Sequence, residues 1–283
     1  MPTTIVGVVG AGVMGRGVTQ NLAQTGHKVI LLDLTEDILQ QARSEIQKNI
    51  RMQRMLHKVQ TTMSAAEILE QITFTTSYEP FADADFVVEN VSEKWEIKQK
   101  VITQLDAICP AHTVFAINTS AISITRLAAN TKRPEQILGI HFMNPVPLKP
   151  VVEVILGFHT SDQTIAIAQG ILTTMQKQWV IVNDYPGFVS NRISHLFMNE
   201  AAFVVQDQVA TAKDVDDIFI KCYGHAMGPL QTADLIGLDT VVQTLDVLYQ
   251  SYQDPKFRCC PLLQKMVDAG ICGVKSGQGF YTY

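Results

Sequence analysis

No run of apolar residues in this chain reaches the ~18 needed to cross a bilayer, so a membrane-spanning helix is not expected. Charge is scarce. Asp, Glu, Lys and Arg together make up 17% of the residues, low for a small monomer and a hint that a partner subunit covers some surface. Basic runs are missing and the net charge is −5, which argues against a nucleic-acid partner. Cysteine is limited to Cys109, Cys222, Cys259, Cys260 and Cys272, an odd number without C-x-x-C spacing. That pattern fits free thiols in a reduced cytoplasmic protein better than a disulfide framework or a zinc knuckle. The opening MPTT runs straight into an apolar strand, which leaves no room for a secretory signal. Internal repeats and low-complexity tracts are also lacking.

What is present is a chain of 283 residues, 47% apolar, enough for two domains of the usual ~100–200 residues. Its most informative stretch is residues 5–33. Residues 5–9 form an apolar run of buried-strand length. Gly10, Gly12 and Gly15 follow with the spacing G-x-G-x-x-G, then a helical pattern (Val13, Val18, Leu22, Ala23) that stops at Gly26. Residues 29–32 form a second apolar strand, closed by Asp33. The glycines alone are a common turn. The order strand, turn, helix, strand, acid is what points to a dinucleotide site. Gly10 permits the tight turn, Gly12 lets a pyrophosphate approach the backbone, and Gly15 lets helix and strand pack closely. The helix N-terminus offers unpaired N–H groups and partial positive charge to the phosphates. Asp33 can accept hydrogen bonds from both hydroxyls of an adenosine ribose and would repel a 2′-phosphate, so NAD is favoured over NADP.

Downstream, helix is expected over 35–58, 64–70, 93–108 and 162–176, and strand over 72–75, 86–89, 113–117, 136–142, 151–156 and 179–182. This alternation implies an α/β fold, a Rossmann-type, doubly wound, mainly parallel sheet. The long excursion between the second and third strands exceeds a simple crossover and reads as a helical arm. After Asp184-Tyr185-Pro186-Gly187 strand patterning ends, and helices are expected over 188–209, from 212, over 238–251 and over 262–269. The domain boundary therefore falls near Tyr185, with a sheet domain over 1–184 and an all-helical domain over 185–283.

The stretch GIHFMNPVPLKPVVEVI carries the chemistry. His141 lies near the end of an apolar strand, where open parallel sheets place ligands. Glu153 sits inside the apolar run VVEVI, and a carboxylate there is expensive to bury without a partner. His141 is the natural one. A neutral imidazole can take a hydroxyl proton as hydride leaves the carbon, and a carboxylate on its other nitrogen fixes the tautomer and stabilises the imidazolium. Pro145, Pro147 and Pro150 shape a turn between the two strands. Ser120, in NTSAISIT, sits where a strand end enters the cleft; a hydrogen bond to a substrate oxygen or to the nicotinamide ribose competes there with ordinary helix capping near Ser123. Asn191, in PGFVSNR, falls in the first turn of a long helix, where on its own residues it reads as solvated. Glu93 and Lys98 are candidates for cofactor or substrate contacts or, as is commoner, solvated charges at a helix start.

Taken together, GAGVMG (10–15), NTSAISIT (118–125), HFMNPVP (141–147), VVEVI (151–155), PGFVSNR (186–192), MGPLQTADLIGLD (227–239) and GVKSGQGFYTY (273–283) resemble the 3-hydroxyacyl-CoA dehydrogenases, particularly the short bacterial 3-hydroxybutyryl-CoA type. The resemblance spans essentially the whole chain. It implies NAD-dependent interconversion of a 3-hydroxyacyl and a 3-oxoacyl thioester, with His141 and Glu153 as the catalytic pair and Ser120 and Asn191 near the substrate's oxygens. It implies cofactor contacts from the turn Gly10-Ala11-Gly12-Val13-Met14-Gly15 and from Asp33, Glu93, Lys98, Asn144 and Lys275. It also implies a homodimer formed through the helical domain. Two features depart from the family pattern. The lysine after NPVP falls one position early, at Lys149, and the arm that meets coenzyme A is thinly basic, with Lys48, Arg51, Arg54 and Lys58. A 3′-phosphoadenosine needs cationic partners. The chain in this respect looks more like the subgroup of polyketide extender-unit pathways, which acts on a hydroxyacyl (glyceryl-type) group held by an acyl carrier protein. Coenzyme A and carrier protein share the pantetheine thioester, so the chemistry is common to both. Two rival readings are a free β-hydroxyacid dehydrogenase, whose lysine-base motif is lacking, and a non-catalytic, crystallin-like NAD binder, against which the intact His-Glu pair weighs.

Overall fold

The computed structural model of the protein describes residues 4–56 and 63–283. The chain divides into two compact units, Met1–Asp184 and Tyr185–Tyr283.

The first unit alternates strands and helices. In chain order they are β1 (Ile5–Val9), α1 (Val13–Gln24), β2 (Lys28–Leu32), α2 (Glu36–Met55), α3 (Ala65–Glu70), β3 (Ile72–Thr75), β4 (Phe86–Glu89), α4 (Trp95–Ile108), β5 (Val114–Ile117), α5 (Ile124–Ala128), β6 (Ile137–His141), β7 (Val151–Leu156), α6 (Asp162–Thr174) and β8 (Gln178–Asn183). The strands form one eight-stranded sheet in the order β3-β2-β1-β4-β5-β6-β7-β8. Every neighbouring pair is parallel except β6 with β7. The chain builds outward from β1 through β2 to β3, then returns to lay β4 on the other side of β1. That reversal opens a crevice beyond the carboxyl ends of β1 and β4, the usual ligand position in a doubly wound sheet. This is the Rossmann-type architecture expected from the alternation of elements.

Local causes are readable. The sequences FVVE of β4 and VFAI of β5 are buried at every position, as strands covered on both faces require. Helix α2 buries Leu39, Ala42, Ile46 and Ile50 at helical spacing, and Thr35 caps it by accepting from the Ile38 N–H at 3.3 Å. It ends at Met55, and the expected continuation to Lys58 lies outside the described residues. The proline-rich turn after β6 sends the chain straight back, so β7 is antiparallel to β6, with Gly139 opposite Ile155, Ile140 opposite Val154 and His141 opposite Glu153.

The second unit is helical: α7 (Ser190–Gln206), α8 (Ala212–Tyr223), α9 (Pro229–Ile236), α10 (Leu238–Tyr252) and α11 (Pro261–Asp268). Helix α7 is shorter at both ends than expected. Gly187 and Phe188 (φ +77° and +49°) precede it in the left-handed region, and Gln208 (φ +59°) follows its end. Helix α9 was not anticipated. It begins with Pro229 at its first position and is separated from α10 only by Gly237 (φ +103°). Its core joins Met198, Ala202, Leu230, Ala233, Leu238, Val241 and Leu245. Two buried aspartates organise it. Asp216 accepts from the N–H groups of Leu230 and Gln231, both at 2.9 Å, and from the Tyr281 hydroxyl at 2.7 Å. Asp234 accepts from the N–H groups of Phe280 and Tyr281, both at 3.0 Å. These bonds explain why acids in residues 212–239 and the closing GFYTY belong to one unit. Among the described residues no helix is long and apolar enough to cross a membrane.

Candidate functional site

The glycine turn joins β1 to α1 at the crevice. Gly10 has φ +96°, and a Cβ there would come 2.7 Å from the Asn90 carbonyl oxygen. At Gly15 a Cβ would lie 1.7 Å from the Gly10 carbonyl oxygen, so these two glycines are demanded by the chain's own packing. Gly12 differs: a Cβ there would meet nothing within 4 Å, and its φ of −67° suits any residue. Space above Gly12 is therefore clear of protein, which is what a pyrophosphate resting on the turn requires. Gly12 is also the N-cap of α1 and provides no side-chain cap, leaving the helix's positive end for an anion. Asp33, at the end of β2, accepts from the Ala11 N–H at 2.6 Å and from the Leu34 N–H at 2.7 Å. Ala11 thus turns its N–H to Asp33, and the carboxylate is held beside the turn with lone pairs to spare for a ribose. Val13 is 58% exposed at the start of α1, whereas Met14 packs against the core. These residues fit a bound NAD.

Three and four strands along the sheet from β1, the second part of the site is built from β6 and β7. Because His141 and Glu153 are directly opposed, both side chains leave the same face of the sheet. His141 Nδ1 and Glu153 Oε2 are 2.8 Å apart, and both residues are buried. With Nδ1–H donating to the carboxylate, the imidazole lone pair lies on Nε2. Ser120 Oγ is 3.4 Å from that nitrogen. Hence three residues singled out from the sequence, on three different segments, converge on one point. Asn144 is exposed in the turn just beyond β6.

The turn that carries Ser120 is held by carboxylates at both ends. Glu93 Oε1 accepts from Thr119 Oγ1 (2.5 Å) and from the N–H groups of Ser120 (2.8 Å) and Ala121 (3.1 Å). Asp184 accepts from Ser123 Oγ (2.8 Å) and from the N–H groups of Ile124 (3.1 Å) and Thr125 (2.8 Å), capping α5. Ser123 also caps α5 in the ordinary way, accepting from the Arg126 N–H at 3.2 Å. Beneath the turn Lys98 is fully buried. Its ammonium donates to Glu89 Oε2 (2.8 Å) and to the Asn118 carbonyl (2.9 Å), and lies 3.6 Å from Glu93. Burial pushes the Glu89 carboxyl above its usual range, while the Lys98 charge pulls the other way. Glu93 lies two residues before α4, not inside it, and so is turned toward the Ser120 turn. Lys98 is directed inward, not to a surface.

In the second unit, Asn191 is the second residue of α7, and its carbonyl accepts from His195 Nδ1 at 3.0 Å. Lys275 is paired with Asp239 beside Gly237. Residues that sequence reasoning missed are Asp184, noticed only as part of a breaker, and Glu89 as the counter-ion of Lys98. A carboxylate ending the apolar strand FVVE was the available signal for the latter.

A glycine turn with an acid closing the second strand, on a doubly wound sheet that matches an NAD-binding domain model, defines a Rossmann-type, NAD-binding oxidoreductase. Comparison with known proteins narrows this. Residues 5–185 match the model of the 3-hydroxyacyl-CoA dehydrogenase NAD binding domain, and residues 187–283 that of the 3-hydroxyacyl-CoA dehydrogenase C-terminal domain. The chain is 44% identical over 277 residues to a probable 3-hydroxybutyryl-CoA dehydrogenase of Deinococcus radiodurans, covering 98% of this chain and 99% of that one. It is 40% identical over 276 residues to a probable 3-hydroxybutyryl-CoA dehydrogenase of Bacillus subtilis, covering 98% and 96%. The crystal structure of (S)-3-hydroxybutyryl-CoA dehydrogenase PaaH1 from Ralstonia eutropha superposes with a TM-score of 0.94 at 37% identity, covering 99% of each chain. The protein belongs to the 3-hydroxyacyl-CoA dehydrogenase family.

Proposed function

We propose that the protein interconverts an (S)-3-hydroxyacyl-CoA of the 3-hydroxybutyryl type and its 3-oxoacyl thioester, using NAD. The observation that carries this reading is the His141–Glu153 pair at 2.8 Å on facing residues of antiparallel strands. NAD, when bound, supplies the acceptor for the hydride that leaves the alcohol carbon. The protein's residues manage the proton. His141 Nε2 takes the hydroxyl proton, and Glu153 steadies the resulting imidazolium through Nδ1–H. Ser120 and Asn191 bind the substrate's oxygens. The turn 10–15, Asp33, Asn144 and Lys275 hold the cofactor. Glu93 and Lys98 contribute by shaping the turn that presents Ser120, with Glu93 also reaching toward the cofactor. The scarcity of charge, and exposed Val209, Ile218, Tyr223 and Leu235 on the helical unit, support a homodimer through that unit. The odd number of cysteines without C-x-x-C spacing supports a reducing cytoplasmic setting, and burial pushes Cys109 up to about 12 and Cys259 up to about 11, which leaves those two thiols inert.

A second reading concerns the handle. The cationic arm residues of α2 are few. Lys48 and Arg51 are exposed, but Arg54 donates to the Met63 carbonyl, and Lys58 lies outside the described residues. This favours a hydroxyacyl group on an acyl carrier protein, as in polyketide extender-unit synthesis, because such a substrate has no 3′-phosphate to neutralise. Purified protein supplied with NADH and acetoacetyl-CoA, or with the same acyl group on an acyl carrier protein, separates the cases by the fall in NADH absorbance. Turnover of the coenzyme A thioester is the expected result. Turnover of the carrier-bound group alone supports the second reading, and failure of both with NAD binding intact marks a non-catalytic binder.

Gly12 provides a direct check on the cofactor. Gly12→Ala is expected to weaken NAD binding by about tenfold or more while leaving the thermal midpoint unchanged, since the methyl meets only ligand. Calorimetric titration with NAD measures it; wild-type affinity in the variant would remove the pyrophosphate from this turn.

A further inference from the structure

The turn between His141 and Glu153 cannot satisfy its own backbone. Pro145, Pro147 and Pro150 have no N–H to give. Within the turn, Leu148 and Lys149 both donate to the Pro145 carbonyl, at 3.0 and 3.1 Å. The carbonyls of Val146, Lys149 and Pro150 look outside the turn for donors, and all three find them at the junction of α6 and β8. Lys177 Nζ donates to Val146 O at 2.6 Å and to Lys149 O at 2.8 Å. The Gln178 N–H donates to Pro150 O at 2.7 Å.

Lys177 is an unusual choice for this task. It is buried, 6% exposed, and among the described residues no carboxylate pairs with it. Burial pulls its ammonium down to about 8. An unpaired buried charge costs stability, so packing alone does not account for it. The far side of the turn explains its value. Val146 is buried against α1, so close that a Cβ on Gly17 would come within 3.1 Å of its side chain. Asn144, Val146 and Leu148 line a hollow of about 220 Å³ with Val13, Arg16 and Gly17. The turn, which continues the strand ending in His141, is thus wedged between the helix that begins at the glycine turn and the junction of α6 and β8, with Lys177 as its anchor.

We propose that Lys177 is a positioning residue for the reaction: its ammonium pins the turn 144–150 and so fixes Asn144 and His141 relative to the nicotinamide end of the bound cofactor. The proposal rests on the reaction assigned above. Its test compares Lys177→Met and Lys177→Arg in the full-length protein by NAD titration, steady-state kinetics with acetoacetyl-CoA, and thermal midpoint. Lys177→Met is expected to weaken NAD binding and lower kcat by about tenfold each, with the thioester KM within about twofold. Lys177→Arg, which keeps charged donors, is expected to recover at least about half of the lost kcat. Wild-type NAD affinity and kcat in Lys177→Met would overturn the proposal. So would a loss that follows a lowered midpoint and raises both KM values alike. Gly17→Ala presses on the same turn from α1 without touching Lys177 and decides the matter should Lys177→Met fail to fold. It should show the same weakened NAD binding and lowered kcat, and wild-type behaviour would count against the proposal. An inactive wild-type protein would instead refute the assigned reaction, and the NAD titration would still test the anchor.

Discussion

Replacing His141 with alanine is expected to lower kcat by about 10³-fold while NAD affinity stays within about twofold of wild type. Nδ1 is committed to Glu153 at 2.8 Å, so only Nε2 can receive a proton, and Ser120 Oγ at 3.4 Å marks where a substrate hydroxyl would bind. Without the imidazole, the hydroxyl proton must leave to water as the hydride departs. The glycine turn and Asp33, proposed to hold NAD, are on other strands and are untouched. Glu153→Gln should cost less, because the amide can still hold the ring yet no longer balances its positive charge. The double variant should be little worse than His141→Ala alone, since the carboxylate acts through the imidazole. Steady-state kinetics with acetoacetyl-CoA and NADH read all three. A His141→Ala variant within about tenfold of wild type would remove the residue from the proton-transfer step.

Lys98→Met should destabilise the sheet unit by about 3–5 kcal/mol, because it strands Glu89 in the interior. Glu89 and Lys98 are essentially inaccessible, and their oxygen–nitrogen distance is 2.8 Å. In the variant, burial is opposed by no cation, and the Glu89 carboxyl is held further above its unfolded value. A group whose folded pKa is raised favours folding fully below its unfolded pKa, and that contribution disappears as pH rises through the folded one. Unfolding by urea should therefore find the variant closer to wild type near about pH 5 than near about pH 8. Adding Glu89→Gln should recover much of the loss, and more so at the higher pH. A loss below about 1 kcal/mol, or one indifferent to pH, would mean that the pair does not support the turn above it.

The parts of the site that could be read from the sequence are those written in short intervals. The glycine turn and Asp33 lie within one strand-helix-strand unit, and His141 and Glu153 lie either side of one turn. Glu153 was conspicuous because a carboxylate in VVEVI needs a partner, and the nearest strand supplied it. The parts that escaped depend on long-range placement. Lys98 reads as a surface lysine on a helix, and only β4 packing beside α4 turns it into the buried partner of Glu89. Asp184 is separated by 59 residues from Thr125, whose N–H it accepts. Lys177 lies 31 residues beyond Val146. Helix α9 was lost because Gly228-Pro229 and Gly237 look like loop punctuation when read one residue at a time, although Pro229 is well suited to open a helix.

The facing registration of β6 and β7 sets a rule of parity for this fold. Side chains on a strand alternate between its faces, so inserting or deleting one residue between Phe142 and Val152 without a compensating bulge would rotate Glu153 to the opposite side of the sheet. The imidazole would then look at a valine. Remodelling at this corner must therefore keep its parity, which makes the hairpin's registration as much a part of the proposed proton-transfer pair as the two side chains it aligns.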